Sequence, residues 1–237
     1  MKTDRHSLAF TRDVAKRTRR AGRAYVICSP KNGMVEIRVE SRIEQAVVHA
    51  LELDPRVVSY RAQPFTFNLT TGEVLQVKPK IKPINAVYYT PDFVCSVHDV
   101  PIAIEVKHQD FVKENKVLFA KASTVAADNG LRFVLVTSAD LPDQLQHNLR
   151  LLNQYAAQCR AQIPAWAKAV QGIALQSHAG TAAEVLKDLE PVNHHLAAGL
   201  LTGQIAVDLR KQALQDPLCV IAPAWGSLNA LEVLCYD

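Results

Sequence analysis

The sequence predicts an α/β fold with a mixed central sheet, followed by a small, mostly helical region. Residues 41–137 follow the order helix, several strands, helix, strand, which is typical of helices packed on a mixed sheet. The last of these strands, Leu131–Thr137, is a continuous apolar run of the kind buried on both faces. From about Ala139 onward the chain becomes rich in Ala, Leu and Gln, and the strand patterns give way to helical ones.

The elements of the first region follow from turn signals and periodicity. The dipeptide Asn32-Gly33 separates two short strands and predicts a hairpin. Apolar residues then recur at the helical period from about Ser41 to Leu53, where Asp54-Pro55 ends the pattern. The predicted strands are Tyr25–Cys28, Met34–Val39, Val57–Tyr60, Phe65–Leu69, Val74–Val77, Val87–Val97 and Ile102–Val106, and a second helix is predicted over Asp110–Asp128.

Three segments are predicted: a basic N-terminal arm (1–23), an α/β domain (24–138) and a C-terminal domain (139–237). The last contains helical patterns at 143–159, 164–175, 181–189 and 193–200. Two short apolar segments, Ile205–Leu209 and Leu218–Ile221, predict a small hairpin. Helices followed by a hairpin favour a winged-helix-like, partner-binding domain. His194 and His195 have no acidic partner at ligand spacing and are expected to be surface residues.

Composition excludes several classes of protein. Hydrophobic residues make up 49% and charged residues 21%, as in an ordinary globular protein. No run of 18 apolar residues exists, so a membrane span is not expected. The five cysteines lack a C-x-x-C pair, which argues against a disulfide framework or a zinc site. Free thiols of this kind fit the reducing cytoplasm.

Charge is unevenly distributed along the chain. Residues 1–23 contain eight Lys or Arg and two Asp, a net charge of +6. Residues 171–237 contain three basic and seven acidic residues, a net charge of −4. A basic arm is suited to binding phosphates, although a solvated tail would have the same composition. The acidic C-terminal region is unsuited to DNA and indicates a protein partner.

The residues that indicate chemistry are Pro91-Asp92-Phe93 and Ile104-Glu105-Val106-Lys107. Side chains alternate along a strand, so Glu105 and Lys107 share one face of an apolar strand. Asp92 begins another apolar strand thirteen residues earlier, and pairing of the two strands would bring it close to Glu105. Taken alone, Glu105 and Lys107 would more often be a surface ion pair on an edge strand, and the preceding Pro91-Asp92-Phe93 element on an apolar strand is what favours a catalytic pair.

Hydrolysis of a phosphodiester needs this combination of groups. Two carboxylates, Asp92 and Glu105, with the backbone carbonyl of Val106, would hold Mg²⁺, for which Mn²⁺ can substitute. The metal would polarise the phosphoryl oxygen and activate water, and Lys107 would orient that water or stabilise the developing charge. The pattern predicts a PD-(D/E)xK, restriction-endonuclease-like core.

Three further residues are weighed for the site. Glu44 fits a capping box with Ser41 as the N-cap, but it also shares a side of its helix with apolar residues, so we favour a metal-proximal role, with a second metal or through water. Gln63 is either a polar positioning group or a β-bulge residue before proline. His108 follows Lys107 on the opposite strand face and is not expected to be catalytic.

The chain resembles the TnsA family, the endonuclease subunit of heteromeric transposases. The resemblance is carried by Ser29-Pro30-Lys31-Asn32-Gly33, Glu40–Glu44, Leu53–Val57, Tyr60–Pro64, Tyr89–Phe93, Ile104–Lys107 and Phe133–Thr137, and more weakly by Leu196–Leu201. By this resemblance, the catalytic residues are Glu44, Asp92, Glu105 and Lys107. The best-known member of the family has a glutamine where this chain has Glu105, so the carboxylate here favours a metal held by two acidic ligands.

The resemblance also implies partners and a reaction. The subunit would cleave the 5′ ends of a transposon during cut-and-paste transposition, while an RNase-H-like transposase joins the 3′ ends. An AAA+ ATPase regulator would bind through the C-terminal region. A stand-alone restriction- or repair-type nuclease would use the same core, and a DNA-binding module with an inactive core is the alternative outside enzymes.

Overall fold

The computed structural model describes residues 25–77, 79, 83–174 and 179–237. The basic arm at 1–23 lies outside the described residues. The chain forms two compact units. The first comprises the described residues up to Glu52, Arg56–Asp140 and Tyr236–Asp237, and the second comprises Leu53–Pro55 and Leu141–Cys235. The predicted domain ranges 24–138 and 139–237 stay predictions.

The first unit contains nine strands and two α-helices among its described residues. They are β1 (Tyr25–Ser29), β2 (Val35–Val39), α1 (Arg42–Leu53), β3 (Val57–Ala62), β4 (Thr66–Asn68), β5 (Val74–Leu75), β6 (Tyr88–Tyr89), β7 (Phe93–Val97), β8 (Val100–Lys107), α2 (Lys116–Asp128) and β9 (Arg132–Thr137).

The principal sheet of this unit has the strand order β3-β7-β8-β9. Strands β3, β7 and β8 are antiparallel, whereas β8 and β9 are parallel and are joined through α2. Strand β8 therefore lies between an antiparallel and a parallel neighbour. This confirms the predicted α/β fold with a mixed sheet.

A two-residue turn joins β7 to β8. His98 and Asp99 both have positive φ, 49° and 65°, as expected for a hairpin turn whose twist matches that of the strands. Opposite the turn, Phe93 pairs with Ile104. The hairpin register therefore places Asp92, which precedes Phe93, level with Glu105, which follows Ile104.

Two elements that the sequence predicts as continuous are each interrupted in the structure. The strand predicted over Val87–Val97 is interrupted at Thr90-Pro91, because proline has no N–H to donate to a sheet. The helix predicted over Asp110–Asp128 is a short 3₁₀ helix, Gln109–Phe111, followed by α2. The segment between β8 and α2 is thus not regular α-helix.

A polar network explains the Ser29-Pro30-Lys31-Asn32-Gly33 motif. The carboxylate of Glu52, near the end of α1, accepts hydrogen bonds from the Ser29 hydroxyl at 2.6 Å, the Lys31 N–H at 2.9 Å and the Tyr60 hydroxyl at 2.9 Å. Gly33, with φ 72°, provides the left-handed residue that ends the 3₁₀ turn Pro30–Asn32. The network ties the β1–β2 hairpin to α1 and β3.

The second unit contains helices α3 (Asp143–Gln158), α4 (Ile163–Ala174), α5 (Ala182–Val185) and α6 (Val192–Leu201), and strands β10 (Gly180–Thr181), β11 (Ile205–Ala206) and β12 (Val220–Pro223). Its sheet has the order β10-β12-β11. The predicted hairpin strands pair as β11 and β12, and the sequence did not reveal β10. The winged-helix interpretation stays a prediction. Within the described ranges, no helix has the length and apolar character needed to cross a bilayer.

The expectation of surface histidines is wrong for His195, whereas His194 is partly exposed. His195 is buried, and its Nδ1 lies 3.0 Å from the Pro191 carbonyl oxygen. The His194 ring stacks on Trp166, with centroids 4.9 Å apart, and meets Tyr155 edge-on. Helix α6 is buried along most of its length, so its histidines take part in packing rather than facing solvent.

Candidate active site

Asp92, Glu105 and Lys107 come together at one end of the β7–β8 hairpin. Asp92 immediately precedes β7 and accepts a hydrogen bond through Oδ2 from the Val106 N–H at 2.8 Å. Lys107 Nζ lies 2.6 Å from Glu105 Oε1, so the two charges predicted to share a strand face form an ion pair. The structure thus brings the predicted residues together, while their catalytic roles stay predictions.

The segment around Asp92 is fixed at both sides. Its carbonyl accepts the Gln63 N–H at 2.8 Å, and Thr90, two residues earlier, shares a 2.7 Å hydrogen bond with the buried hydroxyl of Thr66. Gln63 is buried and has φ 45°, a left-handed conformation that is uncommon outside glycine. Gln63 therefore contributes to the site through its backbone, which supports Asp92.

Glu105 is the most buried charged group of the set. The residue is 3% exposed, and its Oε2 has no hydrogen-bond partner among the described residues. A buried carboxylate oxygen without a donor is unfavourable, because desolvation is not compensated. A carboxylate in this situation calls for a further hydrogen-bond donor or a cation.

Several carboxylates influence one another here. Burial, followed by the charges of Glu105 and Glu44, raises the pKa of Asp92 well above its ordinary value, although Lys107 and the Val106 N–H act in the opposite direction. Burial also raises the pKa of Glu44. Three ionised carboxylates and one ammonium would leave a net charge of −2, which a divalent cation would neutralise.

Lys107 responds in the way expected of an ammonium among carboxylates. Burial acts to lower the pKa of Lys107, but Glu105, Asp92 and Glu44 together outweigh burial and raise it. Its side chain is 36% exposed, whereas that of Glu105 is 4% exposed. A protonated amine on the solvent side suits charge stabilisation at phosphorus better than proton abstraction.

The residues present fit a metal held by two carboxylates and a backbone carbonyl. A residue in a strand directs its N–H and C=O toward the same neighbour, so the Val106 carbonyl faces the edge at which Asp92 binds the Val106 N–H. Within the part of the chain that the structure describes, no three His, Cys, Asp or Glu side chains are arranged to hold a metal.

Glu44 is occupied at the start of α1. Its Oε2 accepts the Glu40 N–H at 3.0 Å, its Oε1 accepts the Ser41 hydroxyl at 2.8 Å, and its own N–H donates to that hydroxyl. The capping interaction considered from the sequence is therefore present. Direct metal ligation by Glu44 stays a prediction, and it would require these hydrogen bonds to be exchanged.

His108 takes no part in the cluster. It is exposed, and its Nδ1 lies 3.2 Å from the Asp110 carboxylate. The residue that the sequence did not single out is Tyr89, a buried phenol in the same Tyr89-Thr90-Pro91-Asp92-Phe93 motif. Its position in that motif was the only feature of the sequence that pointed to Tyr89.

Together, the mixed sheet and the carboxylate–lysine cluster at the β7–β8 edge define an α/β protein with a nuclease-like core. Residues 54–138 match the family model described as the TnsA-like endonuclease N terminal. This similarity supports the family resemblance over that segment and suggests an endonuclease function of the transposase type. The match includes Asp92, Glu105 and Lys107 but not Glu44. No curated protein matches the chain.

The raised pKa of Asp92 predicts how stability depends on pH when no metal is added. The unfolded carboxyl titrates near pH ~3.9, and the folded carboxyl titrates higher. The stabilising contribution is therefore complete below the unfolded pKa and is lost as pH rises through the folded pKa. Asp92→Asn should abolish this loss, so the variant should be more stable than the parent at neutral pH.

Urea unfolding in a chelator between pH 4 and pH 8 measures the effect. Asp99→Asn is the matched control, since Asp99 is exposed in the β7–β8 turn and asparagine tolerates its positive φ. The control should follow the pH dependence of the parent. Equal pH dependence in Asp92→Asn and the parent would show that Asp92 is not held in an unfavourable electrostatic environment.

Proposed function

We propose that the chain is the metal-dependent DNA endonuclease subunit of a heteromeric transposase and cleaves the 5′ ends of a transposon during cut-and-paste transposition. The observation that carries the proposal is the pairing of Asp92 and Glu105 at one end of the β7–β8 hairpin, with Lys107 beside them. All three lie in the segment that matches the TnsA-like endonuclease domain. A transposition role follows from that similarity together with the catalytic set.

The chemistry assigns a role to each group. Asp92, Glu105 and the Val106 carbonyl would hold Mg²⁺, or Mn²⁺ in its place, because hard oxygen ligands suit these ions. The bound ion would supply Lewis-acid polarisation of a phosphoryl oxygen and of a water molecule. Lys107, protonated and partly exposed, would donate to the phosphoryl group and stabilise the negative charge that develops there. The Val106 N–H would keep Asp92 oriented throughout.

We further propose that the second unit is winged-helix-like and binds protein. Support comes from the order α4, β10, α5, α6, β11, β12 and from the placement of β12 between the other two strands. Helix α6 occupies the position of a DNA-reading helix, but it contains no Lys or Arg and is largely buried. Such a helix is unsuited to reading a DNA groove, which requires exposed polar and basic side chains.

Exposed apolar residues on the same unit fit a protein partner. Leu218, Val220 and Trp225 are 68%, 49% and 69% exposed, although all are large and hydrophobic. Tryptophan is enriched among the residues that dominate binding energy at interfaces. With the net charge of −4 over residues 171–237, these features favour the transposase subunit or the AAA+ regulator as the partner rather than DNA.

A plasmid cleavage assay in Mg²⁺ tests the proposal. Alone, the chain should give feeble, non-specific nicking, whereas specific 5′ cuts should appear when the transposase partner, the regulator and transposon-end DNA are added. Trp225→Ala should reduce this stimulation by about tenfold or more and leave basal nicking unchanged, because an interface residue of this type contributes ~2 kcal/mol or more.

Two results decide between the alternatives. Glu105→Ala, assayed with all partners, should lose the 5′ cuts and keep 3′ joining, which would assign the 5′ cuts to this chain. Efficient sequence-specific cutting by the chain alone would contradict the transposase assignment and indicate a stand-alone restriction- or repair-type nuclease.

A further inference from the structure

Tyr89 is a buried aromatic residue whose ring is held in one orientation. It lies on β6, where it pairs with Phe67 of β4, and is 7% exposed. Its ring is parallel to that of Phe67, with centroids 6.4 Å apart and an interplanar angle of 2°, and contacts Phe133 at 6.1 Å. Because Phe67 is buried in the core and the partly buried Phe133 packs against the same cluster, the phenol has little freedom to reorient.

The ring lies over the sheet face that carries Glu105. Tyr89 belongs to the same core cluster as Ala103, and Phe133 pairs with Ala103 in the β8–β9 ladder. Ala103 and Glu105 are two residues apart in β8, so their side chains project from one face. Tyr89 and Glu105 consequently occupy neighbouring positions on that face.

Two buried oxygens lie near each other there, and neither has a well-formed hydrogen bond among the described residues. They are the Tyr89 hydroxyl oxygen and Glu105 Oε2, whereas Glu105 Oε1 binds Lys107. Burial, the charge of Glu105 and a hydrogen-bonding contact with the Glu105 side chain raise the pKa of the Tyr89 phenol, and Asp92 adds to the effect, so the hydroxyl lies within reach of the Glu105 carboxylate. A buried hydroxyl without a partner is rare in native proteins and calls for an explanation.

We propose that Tyr89 is a positioning residue that donates its hydroxyl hydrogen to Glu105 Oε2 when a divalent cation is bound, and so fixes the orientation of the carboxylate. The inference rests on the proposed function, since Glu105 must be a metal ligand. A phenol is a donor at every pH at which the protein would work. Outer partners of this kind orient metal ligands, and their loss weakens metal affinity by about 10- to 100-fold.

Tyr89→Phe tests the proposal, because it removes the hydroxyl and keeps the ring that packs on Phe67 and Phe133. Calorimetric titration of Mn²⁺ into the DNA-free full chain should give a dissociation constant about 10- to 100-fold higher than that of the parent. Tyr88→Phe is the matched control, since Tyr88 is the adjacent residue of β6 and its side chain points to the other face. The control should bind Mn²⁺ as the parent does.

Glu105→Ala in the same titration separates the two hypotheses. If Tyr89→Phe binds Mn²⁺ like the parent while Glu105→Ala does not, the positioning role is wrong and the proposed metal site stands. If Glu105→Ala also binds like the parent, the metal site itself is wrong. The melting temperature of Tyr89→Phe, measured in a chelator, shows whether the variant folds normally. If it matches that of the parent, weakened Mn²⁺ binding is not a folding defect. If a folding defect accounts for the weakened binding, Tyr89 contributes to packing alone.

Discussion

Replacing Asp92 or Glu105 with alanine should reduce DNA cleavage by about 1,000-fold or more, because a metal ion supplies several kcal/mol of transition-state stabilisation and each 1.36 kcal/mol is a factor of ten in rate. Either substitution removes one of two side-chain oxygen donors at the β7–β8 edge. Mg²⁺ or Mn²⁺ binding should weaken in parallel, and the fold should be retained.

Cleavage of supercoiled plasmid with the full set of partners measures the rate, and calorimetry measures metal binding. Asp110→Asn is the matched control, since Asp110 is an exposed carboxylate three residues after Lys107. That variant should cleave at the parental rate. Parental rates in Asp92→Ala or Glu105→Ala would remove both residues from the catalytic centre.

Lys107→Met should be nearly as damaging to cleavage and should act differently on metal binding. The ammonium is the candidate group for stabilising charge at phosphorus, and loss of one such group lowers rates by about 100- to 1,000-fold. Lys107 also occupies Glu105 Oε1 at 2.6 Å, where it competes with a cation. Metal affinity should therefore be maintained or increased while cleavage is lost.

Measuring cleavage and metal affinity separately makes the test specific for the role of Lys107 in the reaction. Lys113→Met, which removes an exposed lysine six residues further along, should change neither cleavage nor metal affinity. A Lys107→Met variant that lost metal binding but kept cleavage would show that Lys107 holds the metal site together and does not serve the reaction.

The arrangement of the cluster could be predicted from sequence because it depends on local rules. Strand alternation places Glu105 and Lys107 on one face of their strand. Asp92 and Glu105 are only thirteen residues apart in the sequence, which favours a hairpin between the two strands that carry them. These rules involve neighbouring strands only, so they hold whatever the remainder of the fold does.

What the sequence did not reveal depends on longer-range packing. Tyr89 reaches Glu105 only because β6 pairs with β4 and the phenol lies over β8, a placement that no periodicity encodes. His195 was expected at the surface because it lacks an acidic partner at ligand spacing, but α6 is buried along most of its length. For Glu44, the sequence offered two roles, a helix-capping residue or a metal-proximal residue on the apolar side of its helix. The capping hydrogen bonds are present in the structure.

The two-residue turn at His98–Asp99 sets the register of the β7–β8 hairpin, and this register places Asp92 beside Glu105. A single inserted or deleted residue in that turn would shift the register by one, and Glu105 would then project from the opposite face of the sheet. Lengthening the loops elsewhere in the unit would leave the pair intact. Lineages of this domain are thus free to vary in loop length at many places, but the turn between β7 and β8 must keep its size for the acids to remain together.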